Sequence, residues 1–288
     1  MAGFSERRWE TPDGLTLYAR DYAGEGGNAC LPVLCLHGFT RNSKDFEDLA
    51  PAIAATGRRV IAMDMRGRGQ SDRDPKPANY HPKIYARDVV GFLAALGIPQ
   101  AAFLGTSMGG LITMTVALFR PRLIAAAILN DVGPAIDPVG LNRIQSYAGT
   151  TPAVRSWADA AEHCRVINQV ALPDFGPEDW QKMARRTFRD GPDGPVLDYD
   201  AAIANAPGGK AKTSSLIAWF AFKRLAKRVP TLLLRGETSD ILSAGIAERM
   251  LRKAPSLRTV VVPGVGHAPT LAEPQALEAI RTFLAEVP

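Results

Sequence analysis

Short apolar, β-branched runs alternate along this chain with longer stretches whose apolar residues recur every three or four positions. That is the pattern of parallel strands joined by helical crossovers. The runs PVLCLHG (32–38), RVIAMD (59–64), AAFLG (101–105), LIAAAILND (123–131), TLLLRG (231–236) and LRTVVVPG (257–264) predict strands. Helices are predicted over 81–98, 109–119, 215–228, 244–253 and 274–285, and the almost wholly apolar 109–119 is expected to be buried. Near the N-terminus two extended runs flank Asp13-Gly14, a hairpin signal. From Val132 to about Ser214 the pattern changes. Helical segments are predicted around 139–148, 153–169 and 177–189, separated by Pro/Gly-rich turns such as LPDFGPED and DGPDGP, and no strand is predicted. The expected organisation is an α/β core of 1–131 and 215–288, built on a mostly parallel twisted sheet flanked by helices, with a helical insertion at 132–214.

Composition narrows this picture only a little. At 288 residues the chain can bury a large core, and its hydrophobic (46%) and charged (22%) fractions are ordinary for a soluble protein. No apolar stretch is long enough to span a bilayer, and the polar N-terminus MAGFSERRWETPDG lacks a signal-peptide core, so a cytoplasmic location without a membrane role is expected. Cys30, Cys35 and Cys164 are odd in number and lack metal-ligand spacing, which fits a reducing compartment. The net charge of +5 comes from basic residues scattered among acids, as in RRTFRDGPDG, so it reads as a solvated surface and predicts no nucleic-acid partner.

The chemistry concentrates at LGTSMGGLIT (104–113), where Gly105, Gly109 and Gly110 crowd around Ser107 between a predicted strand and a predicted helix. This is the context of a G-x-S-x-G nucleophile elbow, a tight turn that lifts the serine hydroxyl above the sheet. A serine needs a base. Of the four histidines, His37 suits loop architecture, His81 starts a helix and His163 lies within the insertion. His267 follows the last strand, where loops at the carboxyl ends of parallel strands converge, and is the candidate base. The acid that holds the imidazole tautomer is assigned to Asp240, which gives the order Ser…Asp…His. Asp131, at the end of its own strand, is the main rival, and Glu237 a weaker one.

A tetrahedral intermediate needs preorganised N–H donors. The backbone amides of Met108, immediately after the nucleophile, and Phe39, in LHGFT, are assigned as the oxyanion hole, with their side chains expected to wall the pocket. MRGRGQSD contains G-x-G without a dinucleotide fingerprint, and APGGKAKTSS (206–215) lacks the P-loop spacing. The second of these reads as a mobile join. Arg66 is expected to form a structural ion pair rather than to contact substrate. Tyr147, Trp157, Phe175, Trp180 and Trp219 are expected mostly to pack, with one or two roofing the pocket. No residue cluster calls for a metal, and no cofactor is required.

LHGFT, MDMRGRGQSD, GTSMGG, GETSD and VPGVGHAPTLAEP occur in order over nearly the whole chain. In this it resembles the α/β-hydrolase superfamily, in particular its compact bacterial esterases, enol-lactonases and carbon–carbon bond hydrolases. The resemblance implies an α/β-hydrolase fold in which 132–214 is a helical cap. It also implies a serine hydrolase that cleaves a small or medium apolar carboxylic ester or lactone without a cofactor. Asp240 lies four residues beyond Gly236, one further than is frequent in the family, which keeps Asp131 in consideration. Ser107 at the elbow argues against the dehalogenase and epoxide hydrolase branches, which carry aspartate there. Thr106 and Ala268 depart from the residues usual in the carbon–carbon hydrolases, which remain the alternative enzyme class. A low-turnover ligand receptor is the alternative outside enzymes. The substrate's identity and the oligomeric state, a homodimer included, are left open.

Overall fold

The computed structural model describes residues 3–27, 30–150, 152–205 and 214–287. Ten strands and nine α-helices are found among them. The first half of the chain forms β1 (Ser5–Glu10), β2 (Thr16–Tyr22), β3 (Val33–Leu36), α1 (Leu49–Ala54), β4 (Val60–Asp64), α2 (Pro82–Ala95), β5 (Ala101–Thr106), α3 (Met108–Phe119) and β6 (Ile124–Asn130). An inserted segment follows with α4 (Pro138–Tyr147), α5 (Trp157–Asn168), α6 (Pro177–Thr187), β7 (Phe188–Gly191) and β8 (Gly194–Leu197). The chain then returns through α7 (Leu216–Arg228), β9 (Thr231–Gly236), α8 (Ala244–Lys253), β10 (Arg258–Val262) and α9 (Pro274–Ala285).

Eight strands form one sheet in the order β1-β2-β4-β3-β5-β6-β9-β10. The β1–β2 hairpin turns at Asp13-Gly14, and β2 runs antiparallel to β4; all other neighbours are parallel. Alternate side chains of the central strands enter opposite cores, as strand periodicity requires. Leu34, Leu36 and Phe103 pack with α2, α3, α7 and α8, whereas Val33, Cys35 and Leu104 pack with α1 and α9. Burial on both faces explains why the parallel strands read as continuous apolar runs rather than alternating ones.

The insertion differs from expectation in one respect: Phe188–Leu197 is a two-stranded antiparallel hairpin, not the end of a helix followed by a turn. GPDG supplies its turn, with Pro192 fixing φ and Gly194 at φ 126, and Phe188 anchors it in a small core with α5 and α6. Strands this short carry too little periodicity to be legible beforehand. α1, also short, was not anticipated either. The join expected in APGGKAKTSS falls largely on 206–213, outside the described residues.

The insertion is tied to the core by charge. Lys44 pairs with Asp198 at 2.8 Å, Lys182 with Asp48 at 2.8 Å, and Arg143 with Asp240 at 2.6 Å. Among the described residues no helix is long and apolar enough to cross a membrane.

Candidate active site

Ser107 sits between β5 and α3 at φ 52 and ψ −112, a conformation that costs an L-residue free energy and persists only where its surroundings enforce it. The enforcement is visible at the flanking glycines. A Cβ on Gly105 would lie 2.4 Å from the Gly109 carbonyl carbon, and one on Gly109 would lie 2.1 Å from the Leu36 oxygen. Only glycine lets α3 close onto β5 and β3 tightly enough to push Ser107 out of the sheet.

His267, in the loop after β10, reaches Ser107 from the other side, with Nε2 2.9 Å from the serine Oγ. Its Nδ1 is 2.8 Å from Asp131 Oδ2. With Nδ1–H donated to the carboxylate, Nε2 is free to accept the serine proton. Asp131 is fully buried at the carboxyl end of β6. Its Oδ1 accepts from the Gly236 amide at 2.9 Å, and its Oδ2 also accepts the Ser239 hydroxyl at 2.6 Å. Asn130, just before it, donates to Pro269 O at 2.9 Å and so ties β6 to the His267 loop.

The expected partnership of Asp240 with His267 is therefore corrected: the carboxylate on the imidazole is that of Asp131. Asp240 instead receives Nε and Nη2 of Arg143 on α4, at 2.6 and 2.9 Å. Burial would raise its carboxyl pKa, but the two Arg143 hydrogen bonds outweigh this and hold it below the ordinary value. The cause lies in the turn after β9. There Ser239, one position earlier, faces Asp131, and Asp240 is carried against the insertion, where the spot a Gly140 side chain would occupy is 2.4 Å from Asp240 O. Glu237 is exposed and accepts from the Gly264 amide at 2.9 Å, away from the imidazole.

Phe39 follows β3 and lines the cavity together with Ser107 and His267. Its loop is pinned by His37, which is fully buried, donates Nδ1–H to Gly38 O at 2.7 Å and accepts the Met65 amide at Nε2, 3.0 Å away. Burial, aided by the charges of Arg68 and Arg41 and only partly opposed by Asp45, lowers this imidazole's pKa to about 4. Met108 is the first residue of α3, where backbone N–H groups are free of intrahelical acceptors. Its side chain does not wall the pocket as expected. It is buried in the main core, with Sδ 3.7 Å from Arg68 Nη2.

The cavity above Ser107 holds about 650 Å³. Its walls include Phe39, Ile144, Tyr147, Leu172, Phe175 and Tyr199, so two of the five aromatics singled out in the sequence do reach it. The tryptophans pack elsewhere: Trp157 lies under Arg185, Trp180 packs against Phe175, and Trp219 packs against Phe222. His163 also faces the cavity, whereas His81 caps α2 by accepting the Lys83 amide at 3.1 Å. Arg66 is fully buried among Asp13, Asp74 and Asp88, the structural role anticipated for it. Arg41 and Ser239 were not anticipated. Arg41 lines the cavity and is clamped by Asp45 at 3.0 Å from Nε, with Thr187 of α6 on Nη1. Ser239 lay in plain view within GETSD, but nothing in sequence spacing aims a hydroxyl at a carboxylate over a hundred positions away. Among the described residues no group of three or more His, Cys, Asp or Glu side chains is placed to share a metal ion.

Comparison with known proteins agrees with this architecture. The family profile described as alpha/beta hydrolase fold matches residues 32–274. A 3-hydroxybutyrate-oligomer hydrolase of Cupriavidus necator is 31% identical over 282 residues, covering 95% of this chain and 94% of the relative. A 2-(acetamidomethylene)succinate hydrolase of Mesorhizobium japonicum is 28% identical, covering 88% of this chain and 87% of the relative. Among solved structures, an alpha/beta hydrolase from Novosphingobium aromaticivorans superposes with a TM-score of 0.92 at 43% identity, covering 100% of both chains. With a matching profile over most of its length and a bacterial hydrolase aligned almost end to end, the chain belongs to the alpha/beta hydrolase fold family.

Proposed function

We propose that this protein is a carboxylic ester hydrolase working through an acyl-enzyme on Ser107, His267 and Asp131. The observation that carries the reading is the continuous hydrogen-bonded path from Ser107 Oγ through His267 to Asp131, at 2.9 and 2.8 Å. His267 takes the serine proton as Ser107 attacks the ester carbonyl. The Phe39 and Met108 amides receive the oxyanion, and Asp131 holds the imidazolium that forms. Collapse of the intermediate expels the alcohol with the proton carried by His267, and a water activated by the same base then releases the acid.

The 132–214 segment serves as a cap whose residues Ile144, Tyr147, Leu172 and Phe175 give the cavity its apolar character. That character favours a small or medium apolar ester or lactone. The Cupriavidus relative supports ester cleavage in particular, since oligomers of a hydroxy acid are joined through ester bonds.

The test is hydrolysis of p-nitrophenyl esters of increasing acyl length by wild type and Ser107→Ala. Turnover that vanishes in the variant is expected, with a rate maximum at intermediate acyl length. Equal rates in both proteins would exclude Ser107 as nucleophile, and no turnover of any ester would exclude the ester-hydrolase reading.

A further inference from the structure

Arg68 lies on the turn after β4 and is fully buried. A buried guanidinium is ordinarily neutralised, as Arg66 two positions earlier is by three aspartates. Among the described residues Arg68 has no carboxylate within ion-pair distance. The groups it bonds are all neutral, and Asp200 stands beyond one of its neighbours, taking the Tyr80 hydroxyl at 2.5 Å. Nε donates to Phe39 O at 3.0 Å, and Nη1 donates to Arg66 O at 2.9 Å and to the Tyr85 hydroxyl at 2.7 Å. Nη2 points to Met108 Sδ at 3.7 Å. The rings of Phe39, Tyr80 and Tyr85 surround it, with centroids 5.5, 5.5 and 5.1 Å from Cζ. Aromatic faces and carbonyl dipoles offset part of the desolvation cost without cancelling the charge.

The two residues gripped by this one side chain are the pair whose amides receive the oxyanion in the reading above, on which this inference rests. Phe39 comes from the loop after β3 and Met108 from the start of α3, so Arg68 fixes two otherwise separate donors relative to one another. An unneutralised cation behind them, in a site of low dielectric, keeps its field for the negative charge that appears in front of them only when the tetrahedral intermediate forms. We propose that Arg68 is the positioning residue of the oxyanion hole, and that its charge has no carboxylate partner because the developing oxyanion is the charge it serves.

The experiment compares wild type, Arg68→Met and Arg68→Lys in two assays. One measures kcat and KM on p-nitrophenyl butyrate. The other measures inhibition by an alkyl trifluoromethyl ketone, which adds to the serine as an ionised hemiketal, against the matching methyl ketone. Arg68→Met is expected to lower kcat roughly 10- to 100-fold with KM changed less than about threefold, and to weaken the trifluoromethyl ketone by the same factor. The methyl ketone should bind as in wild type, and Arg68→Lys should recover part of the loss. If Arg68→Met does not fold, Arg68→Lys alone decides, because it retains charge but cannot hold Phe39 and Met108 together. It is then expected to weaken the trifluoromethyl ketone selectively. Loss of both ketones in parallel, or wild-type affinity for both, would overturn the assignment of Arg68 while leaving the acyl-transfer reading intact. Failure of wild type to hydrolyse any ester would overturn that reading and this assignment with it.

Discussion

Ser239 donates its hydroxyl to Asp131 Oδ2 at 2.6 Å, and the same oxygen receives His267 Nδ1 at 2.8 Å. A single carboxylate oxygen is thus held by a neighbour on β9's turn while it orients the imidazole. Ser239 Oγ also accepts the Leu242 amide at 2.9 Å, which fixes the hydroxyl's direction. Ser239→Ala is expected to lower kcat/KM about 10- to 100-fold, in line with the ~1.5–3 kcal/mol of a hydrogen bond to a charged group. Steady-state kinetics on p-nitrophenyl butyrate check this; an unchanged kcat/KM would show that Gly236 and His267 suffice to hold Asp131.

The two candidate acids make opposite predictions. Asp131→Asn leaves the imidazole in the wrong tautomer and is expected to lower kcat by about 10⁴-fold, the size of this effect in serine proteases. Asp240→Asn breaks a half-buried pair with Arg143 and is expected to change kcat less than about threefold while costing on the order of 1 kcal/mol of stability. Kinetics and thermal unfolding of both variants separate the roles. An inactive Asp240→Asn with intact Asp131→Asn would restore Asp240 as the acid.

Strain at Ser107 predicts a trade of stability against activity. Ser107 is held at φ 52, where glycine carries no Cβ penalty. Ser107→Gly is therefore expected to stabilise the fold by about 1 kcal/mol while eliminating turnover. Urea unfolding beside an ester assay reads both, and a destabilised variant would mean that the serine's own hydrogen bonds outweigh the backbone strain.

His37 links stability to pH. Its pKa falls from 6.5 when exposed to about 4 when buried, so the unfolded chain binds the proton more readily. Its contribution is complete above pH 6.5 and is lost as pH falls toward 4. The stability advantage of wild type over His37→Gln should shrink by about 3 kcal/mol between pH 7 and pH 4. Asp64 acts with the opposite sign, because burial raises its pKa to about 6, but it is common to both proteins and cancels in the difference. Urea titrations at a series of pH values measure that difference; a constant gap would show that His37 titrates in the fold as it does in the unfolded chain.

Much of this architecture was legible because its signals are local. The boundaries of β5 and α3, the Asp13-Gly14 hairpin and the elbow around Ser107 each follow from a few adjacent residues, whose propensities and sterics act at short range. The β7–β8 hairpin escaped because four-residue strands depend on tertiary packing of Phe188 rather than on pattern.

The sequence by itself determined an α/β chain with a strained serine between a strand and a helix and a histidine in the loop after the last strand. Local geometry and chain order suffice for both. Only the tertiary structure decided which carboxylate meets the imidazole. Asp131 and Asp240 both follow strands that end at the site, and β6 and β9 are neighbours in the sheet, so order along the chain does not separate them. The choice depended on where side chains point after β9, with Ser239 turned toward Asp131 and Asp240 captured by Arg143 from the insertion. The same holds for Arg68. Its residue type is visible in MRGRGQSD, but the lack of a carboxylate within ion-pair distance among the described residues is a property of everything packed around it. Contacts between distant segments are settled by packing and desolvation in three dimensions, and these leave no periodic trace in the chain.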